Sequence, residues 1–384
     1  MPRKKEGRAA QGAGTIRQRA NGSWEARFTV GRDPGTGKQI QKSIYGKTQG
    51  EVRMKLNAAI TEVDEGTWTE PEKLNLAAWA NIWIDEYTMD IKPNTVICYR
   101  KELNNHIIPA LGKAHLQKLT PHQIQTFYNH MIKDKGLSPK TVKNVHGVLH
   151  RLLGQAMALG YIKSNPASLA TIPKAERQPI HPLDRGEINV FLAAAKEDCF
   201  FNLYTVTLFT GLRLSEVVGL TWDCIDFDTG TIHIYRQLLK MKGGYDWGAP
   251  KNSKSRTITP APAVMAILRT ERTQQIENRL AAGSGWDNLE GFAFTNEIGA
   301  HCVHVTIRKH FKKIADAIGR PDLRFHDLRH TYAVASIQAG DDIKTVQENL
   351  GHHSAAFTMD TYAHVTASMH KASSDRMQAF IDSL

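Results

Sequence analysis

Two hydrophobic repeats, one after the other, constrain this chain more than any other feature. Over residues 24–30 apolar and polar side chains alternate. Trp24, Ala26, Phe28 and Val30 share one face; Glu25, Arg27 and Thr29 share the other. That is the period of a strand with one buried side. From Leu76 to Leu153 the apolar positions recur every three or four residues instead, the period of helices. The change of period separates a sheet-forming segment from a helical one, and the two are candidates for separate domains. The 384 residues of the chain allow two or three.

The alternating segment belongs to a small sheet. Residues 15–19 read as a first strand and Asn21-Gly22 as a two-residue hairpin turn. Residues 38–45 read as a third strand, and 48–65 as a helix with Val52, Leu56 and Ile60 on one side. The open face of the sheet carries Arg17, Arg19, Arg27, Gln39 and Gln41. Long donors on a narrow sheet suit a β-ribbon that enters the major groove of DNA. A merely solvated face is the alternative.

Charge supports the first reading. The chain holds 49 Lys+Arg against 38 Asp+Glu, and residues 1–56 alone hold 13 basic and 4 acidic side chains. The net +11 implies a polyanionic partner, nucleic acid or an acidic membrane surface. No apolar run of about 18 residues is available to span a bilayer. The basic start, Met1 to Lys5, lacks the apolar stretch of a secretory signal. Cys98, Cys199, Cys224 and Cys302 lie far apart, with neither metal nor disulfide spacing. A cytoplasmic setting is expected.

The middle of the chain reads as four helices: about 75–87; from Lys92-Pro93-Asn94-Thr95 to about 106; from Thr120-Pro121 through Ile124, Phe127, Tyr128 and Met131; and from Ser138-Pro139 to about 159. Thr120-Pro121 and Ser138-Pro139 each pair a capping side chain with proline at the first helical position. Lys140 and Lys143 fall near the positive end of the last helix, where they could hold a phosphate; ordinary surface lysines explain them as well. Residues 165–182, rich in Pro, Lys and Ala, read as an extended linker.

The C-terminal half carries the residues with chemistry. Arg213 follows an apolar helix, and Glu216 and Asp223 are its possible partners. Residues 230–260 read as strands, with Lys251 and Lys254 in a polar turn. His326 and Arg329 are three apart and share one side of a helix. Leu350-Gly351-His352 comes next, and Tyr362 lies ten residues beyond His352. His352-His353 and His326 with His330 are close histidine sets, and no HExxH is present. A metal site is therefore not expected.

In this order, Thr210-Gly211-Leu212-Arg213, Lys251, His326-Asp327-Leu328-Arg329-His330, Leu350-Gly351-His352 and Tyr362 resemble the motif of the tyrosine recombinases, or phage integrases. That motif is Arg, Lys, His-x-x-Arg, His or Trp, then Tyr. The resemblance extends along the whole chain, toward integrases of conjugative transposons and temperate phages of Gram-positive bacteria. It implies a multidomain fold, mainly α with small β-sheets. Residues 1–13 would be a basic disordered arm, 14–66 an arm-site DNA-binding domain of a three-stranded sheet plus a helix, and 74–165 an all-α core-binding domain. Residues 166–182 would link these to a mixed α/β catalytic domain, 183–384, that ends in a helix bearing Met377, Phe380 and Ile381.

The implied activity is site-specific DNA recombination through a covalent 3′-phosphotyrosine, integrating and excising a mobile element. Tyr362 would be the nucleophile. Arg213, Arg329 and His352 would bind the non-bridging phosphate oxygens. A phenol with a pKa of about 10 needs a base, and His326 is the candidate. Lys251 would protonate the leaving 5′-oxygen, with Lys254 as the competitor. No cofactor is implied. The implied partners are double-stranded DNA at core and arm sites, a homotetramer on that DNA, and an excisionase or host DNA-bending protein. A DNA-binding regulator that has lost catalysis and a type IB topoisomerase-like enzyme are the alternatives.

Overall fold

The computed structural model describes residues 14–64, 74–176, 181–241, 243–250, 254–351, 374, 377–378 and 380–384. They fall into two units that divide after Arg177.

In the first unit, β1 (Thr15–Gln18), β2 (Trp24–Arg32) and β3 (Gln39–Gly46) form an antiparallel sheet in that order. Ala26 and Phe28 are buried against Val52, Leu56 and Ala59 of α1 (Gln49–Asp64), as the alternation requires. The turn differs from the expected one. Gly22 N–H donates to Arg19 O at 3.0 Å, so Ala20 and Asn21 are its central residues. Gly22 follows them at φ 81° and supplies the left-handed residue. Asn21 acts through its side chain, accepting from Ser23 N–H at 3.2 Å.

The helical part comprises α2 (Leu76–Glu86), α3 (Pro93–Glu102), α4 (Ile108–Leu111), α5 (Pro121–Lys133) and α6 (Pro139–Ala158). Trp79 and Trp83 fill its centre, and Trp79 Nε1–H donates to Leu152 O at 3.0 Å. Thr120 and Ser138 cap α5 and α6, each cap being worth about 1 kcal/mol. The helix expected to stop near residue 106 runs on to Leu111, through a π turn at Leu103–Ile107. Pro109 is the physical cause, because it lacks an N–H and its ring crowds the carbonyl four residues back. The supposed linker starts later than expected. Pro166 and Ala167 are buried, and Thr171 N–H donates to Gln125 Oε1 at 2.8 Å.

The second unit comprises α7 (Arg185–Ala195), α8 (Phe201–Thr210), α9 (Leu214–Val218), β4 (Ile225–Asp226), β5 (Thr231–Ile234), β6 (Gln237–Met241), β7 (Gly244–Gly248), β8 (Arg256–Ile258), α10 (Pro262–Ala282), α11 (His304–Ala317), α12 (Asp327–Ala339) and α13 (Ile343–Leu350). Phe191, Tyr204, Phe311 and Phe325 pack ring on ring, with neighbouring centroids 5.6 to 6.2 Å apart. This cluster holds α7, α8, α11 and the entry to α12 together. β5 lies between β4 and β8, whereas β6 pairs with β7. β7 and β8, the strands on either side of the basic segment in sequence, therefore belong to different sheets and do not form a hairpin with each other.

The fold is mainly α with small sheets. No helix among the described residues is long and apolar enough to cross a membrane. At the C-terminus, Met377, Phe380 and Ile381 are exposed.

Candidate active site

Gly211 ends α8 at φ 66°, a left-handed conformation that a side chain resists. A Cβ there would lie 2.6 Å from both Leu350 Cδ2 and Tyr332 Cδ1. Glycine thus stops the helix and lets α12 and α13 close over its end. Arg213 follows as the cap of α9. Its Nη1 donates to Glu216 Oε1 at 2.7 Å, and its backbone N–H donates to Glu216 Oε2 at 2.9 Å. Of the two partners open in the sequence, Glu216 is the one Arg213 meets. Asp223 pairs with Arg236.

Arg329 lies in the first turn of α12 and is 2% exposed. Its Nη1 donates to Gly211 O at 2.6 Å and its Nη2 to Leu350 O. Arg213 Nη2 reaches the next carbonyl, Gly351 O, at 3.4 Å. Arg256, the first residue of β8, donates through Nε to Asn349 O at 2.8 Å. Three arginines therefore grip three successive carbonyls at the C-terminal end of α13. Those carbonyls lack helical partners and carry the negative end of the helix dipole. Gly351 caps this end at φ 62°, one residue before His352.

Glu216 is fully buried beneath Arg213 and Arg256. Burial alone would raise its carboxyl, but the Arg256 hydrogen bonds and charge, with Arg213, outweigh that and hold it at about 2. His326 precedes α12, its ring 5.0 Å from that of His330. Crowding on its inner side, then the charges of His330, Arg329 and Arg213, bring its pKa down to about 4. Its outer edge stays exposed, so solvent moderates the fall. The ring is neutral at pH 7. A pocket of about 420 Å³ beside it is lined by Leu214, Arg308, Phe311, Lys312, Arg324 and Phe325 among others.

Lys251, His352 and Tyr362 lie outside the described residues. Lys254 is described and exposed. The other expected contacts sit in the first unit. The strand register places Arg17, Arg27, Gln39 and Gln41 on the open face of the sheet. Arg19 stands over the Tyr45 ring of that face, 5.2 Å from its centroid. Glu25, 2% exposed, sits among them. Hydrogen bonds from Arg17 and then Arg27 hold its carboxyl at about 2. The face is thus an ordered array of arginines around one carboxylate. Lys140 and Lys143 are exposed in the first turns of α6.

Sequence reasoning missed Arg256, because a strand-opening arginine after a basic turn carries no signal of its own. It also missed Asp198, Cys199 and His310. Among the described residues these are the one group whose potential metal-ligating atoms all come within 4.8 Å of one another. Asp198 there already accepts from Phe200 N–H at 2.9 Å, and its other oxygen lies 2.8 Å from His310 Nδ1.

Residues 183–369 match the phage integrase family, and residues 75–132 match the N-terminal SAM-like domain of phage integrases. The chain is 30% identical over 357 residues to a tyrosine recombinase XerC-like protein of Caldanaerobacter subterraneus subsp. tengcongensis, covering 88% of this chain and 91% of the relative. Its fold resembles the Tn1549 transposon integrase solved with a circular intermediate DNA, with a TM-score of 0.68 and 24% identity over 79% of this chain and 99% of that one. It also resembles a lambda integrase solved as a tetramer on a Holliday junction, with a TM-score of 0.57 and 20% identity over 90% and 95% of the two chains. The six-residue motif, the arginines gathered at one helix end and these likenesses agree, and the chain belongs to the phage integrase family of tyrosine recombinases.

Proposed function

We propose that this recombinase cuts and rejoins DNA through a covalent 3′-phosphotyrosine at Tyr362, and so integrates and excises a mobile element. The observation that carries the reading is the convergence of Arg213 and Arg329 on the end of α13, immediately before His352. Two planar cations at one point, with a histidine next in the chain, suit a phosphate whose non-bridging oxygens gain charge as the phosphorus becomes five-coordinate.

The Tyr362 oxygen attacks phosphorus and its proton passes to the neutral His326 ring. The bond from phosphorus to the 5′-oxygen breaks, and Lys251 protonates that oxygen as it leaves. The new ester keeps the energy of the phosphodiester, so a 5′-hydroxyl from a partner strand reverses the attack and joins. The residues present need neither a metal nor a nucleotide for this cycle.

The basic sheet face, with Arg17, Arg19, Arg27, Gln39 and Gln41, binds distant arm sites. The helical domain binds core DNA with Lys140 and Lys143 on phosphate. Four protomers assemble on the DNA, and the exposed Met377, Phe380 and Ile381 of the C-terminal helix dock on a neighbour. An excisionase or DNA-bending protein sets direction, and the work is done on cytoplasmic DNA.

A DNA substrate nicked beside the core site tests this, because the cut end diffuses away and traps the adduct. The full-length protein forms a covalent complex stable to denaturation. Tyr362→Phe binds the DNA and forms none; an adduct with that variant overturns the assignment.

A further inference from the structure

We propose that Arg256 is a positioning residue of the cleavage site: it takes up the charge of Glu216, so that Arg213 presents its own to the phosphate, and it ties the end of α13 to the strand that follows Lys251. This rests on the roles given above to Arg213, Lys251 and His352.

The geometry divides the labour between the two arginines. Arg256 meets Glu216 with both terminal nitrogens, Nη1 to Oε1 at 3.1 Å and Nη2 to Oε2 at 2.7 Å. Arg213 meets the same carboxylate through one guanidinium nitrogen, at 2.7 Å. The planar fork of arginine matches both carboxylate oxygens, which a lysine cannot do. The Arg256 side chain is 9% exposed, that of Arg213 17%. Arg256 is thus the inner, structural cation and Arg213 the outer one. Without Arg256, the buried Glu216 would have Arg213 as its compensating cation, and it would draw the guanidinium inward.

The third nitrogen of Arg256 has a separate task. Nε donates to Asn349 O at 2.8 Å, in the last turn of α13. The guanidinium also packs on the bare Cα of Gly351, where a Cβ would lie 3.1 Å from Nη1. Asn349 is held from its other side, since its Nδ2 donates to Tyr332 Oη at 3.1 Å. Arg256 is five residues after Lys251 in the chain, and Asn349 three before His352. One side chain therefore joins Glu216, the partner of Arg213, to the start of β8 and to the last turn of α13.

The test is a double-mutant cycle on the full-length chain with Arg256→Gln, Glu216→Gln and both together. Three quantities are read: core-site Kd, melting midpoint, and single-turnover cleavage of the nicked substrate. Arg256→Gln is expected to slow cleavage about 100-fold, with Kd changed less than about threefold. The double variant is expected to recover at least about tenfold of that loss, because the uncompensated carboxylate is gone. Arg256→Lys, which keeps the charge and loses the fork, falls between. Multiplicative losses in the double variant overturn the proposal, as does a cleavage loss that follows Kd. If Arg256→Gln does not fold, Arg256→Lys alone and with Glu216→Gln runs the same cycle, and wild-type cleavage by Arg256→Lys overturns it. Wild type and Tyr362→Phe run beside these. A wild type without adduct, or an adduct with Tyr362→Phe, refutes the reading of the site itself and not the role of Arg256.

Discussion

Arg329 donates from Nη1 to the carbonyl oxygen of Gly211 at 2.6 Å, so the second arginine of the motif is anchored on the residue that ends the helix before the first. The two arginines are 116 positions apart in the sequence and share one local framework. Arg329→Lys keeps the charge but cannot hold Gly211 O and Leu350 O together and still face a phosphate. Single-turnover cleavage of the nicked core substrate is expected to fall about 1,000-fold, with core-site affinity changed far less. Wild-type cleavage by this variant contradicts the role of Arg329.

Gly211→Ala tests the same framework through packing. The new Cβ would press on Leu350 and Tyr332 at 2.6 Å and adopt a φ of 66°. Strain and overpacking together are expected to destabilise the catalytic unit by about 3 kcal/mol. Thermal melting followed by circular dichroism reads this as a fall of several degrees. An unchanged midpoint contradicts the close approach of α8, α12 and α13.

His304 predicts an acid limb of stability. The residue is 5% exposed, and burial, then Arg308 and two further charged neighbours, lower its pKa to about 4. In the unfolded chain it titrates near 6.5. The unfolded state therefore binds more protons between these values. The contribution is complete above pH 6.5 and is lost as pH falls toward 4, up to about 3 kcal/mol in all. Urea midpoints at pH 7 and pH 5 should differ less in His304→Gln than in wild type. Equal differences contradict the buried neutral ring.

The arginine face of the N-terminal sheet predicts a separable DNA contact. Deleting residues 1–66 should leave cleavage at the core site and abolish efficient integration. In the full chain, Arg27→Ala should weaken arm-site binding and reduce the salt slope by about one unit if its partner is a phosphate. Integration by the truncated chain at the full rate contradicts the assignment.

Much of this was legible in the sequence, for identifiable reasons. The alternation over residues 24–30 specified which face of the sheet meets α1, because a one-residue slip would expose Phe28. Thr120-Pro121 and Ser138-Pro139 marked two helix starts, because capping is local chemistry. The turn at Asn21 was misread because Gly22 serves the residue after the turn as readily as its centre. Pro109 was overlooked because a π turn lets a helix absorb a proline. Arg256 and Asn349 could not be read at all. Their contact joins residues 93 positions apart, and neither residue type signals a role. That β7 pairs with β6 instead of β8 could not be read either, because strand pairing depends on contacts no local pattern records.

The most direct test of the account is to identify the amino acid that carries the DNA. The trapped complex is digested with protease and nuclease, and the peptide bearing a nucleotide 3′-phosphate is sequenced by mass spectrometry. The account predicts a phosphotyrosyl linkage on Tyr362. A linkage on any other residue, including Tyr332 beside Gly211, contradicts it.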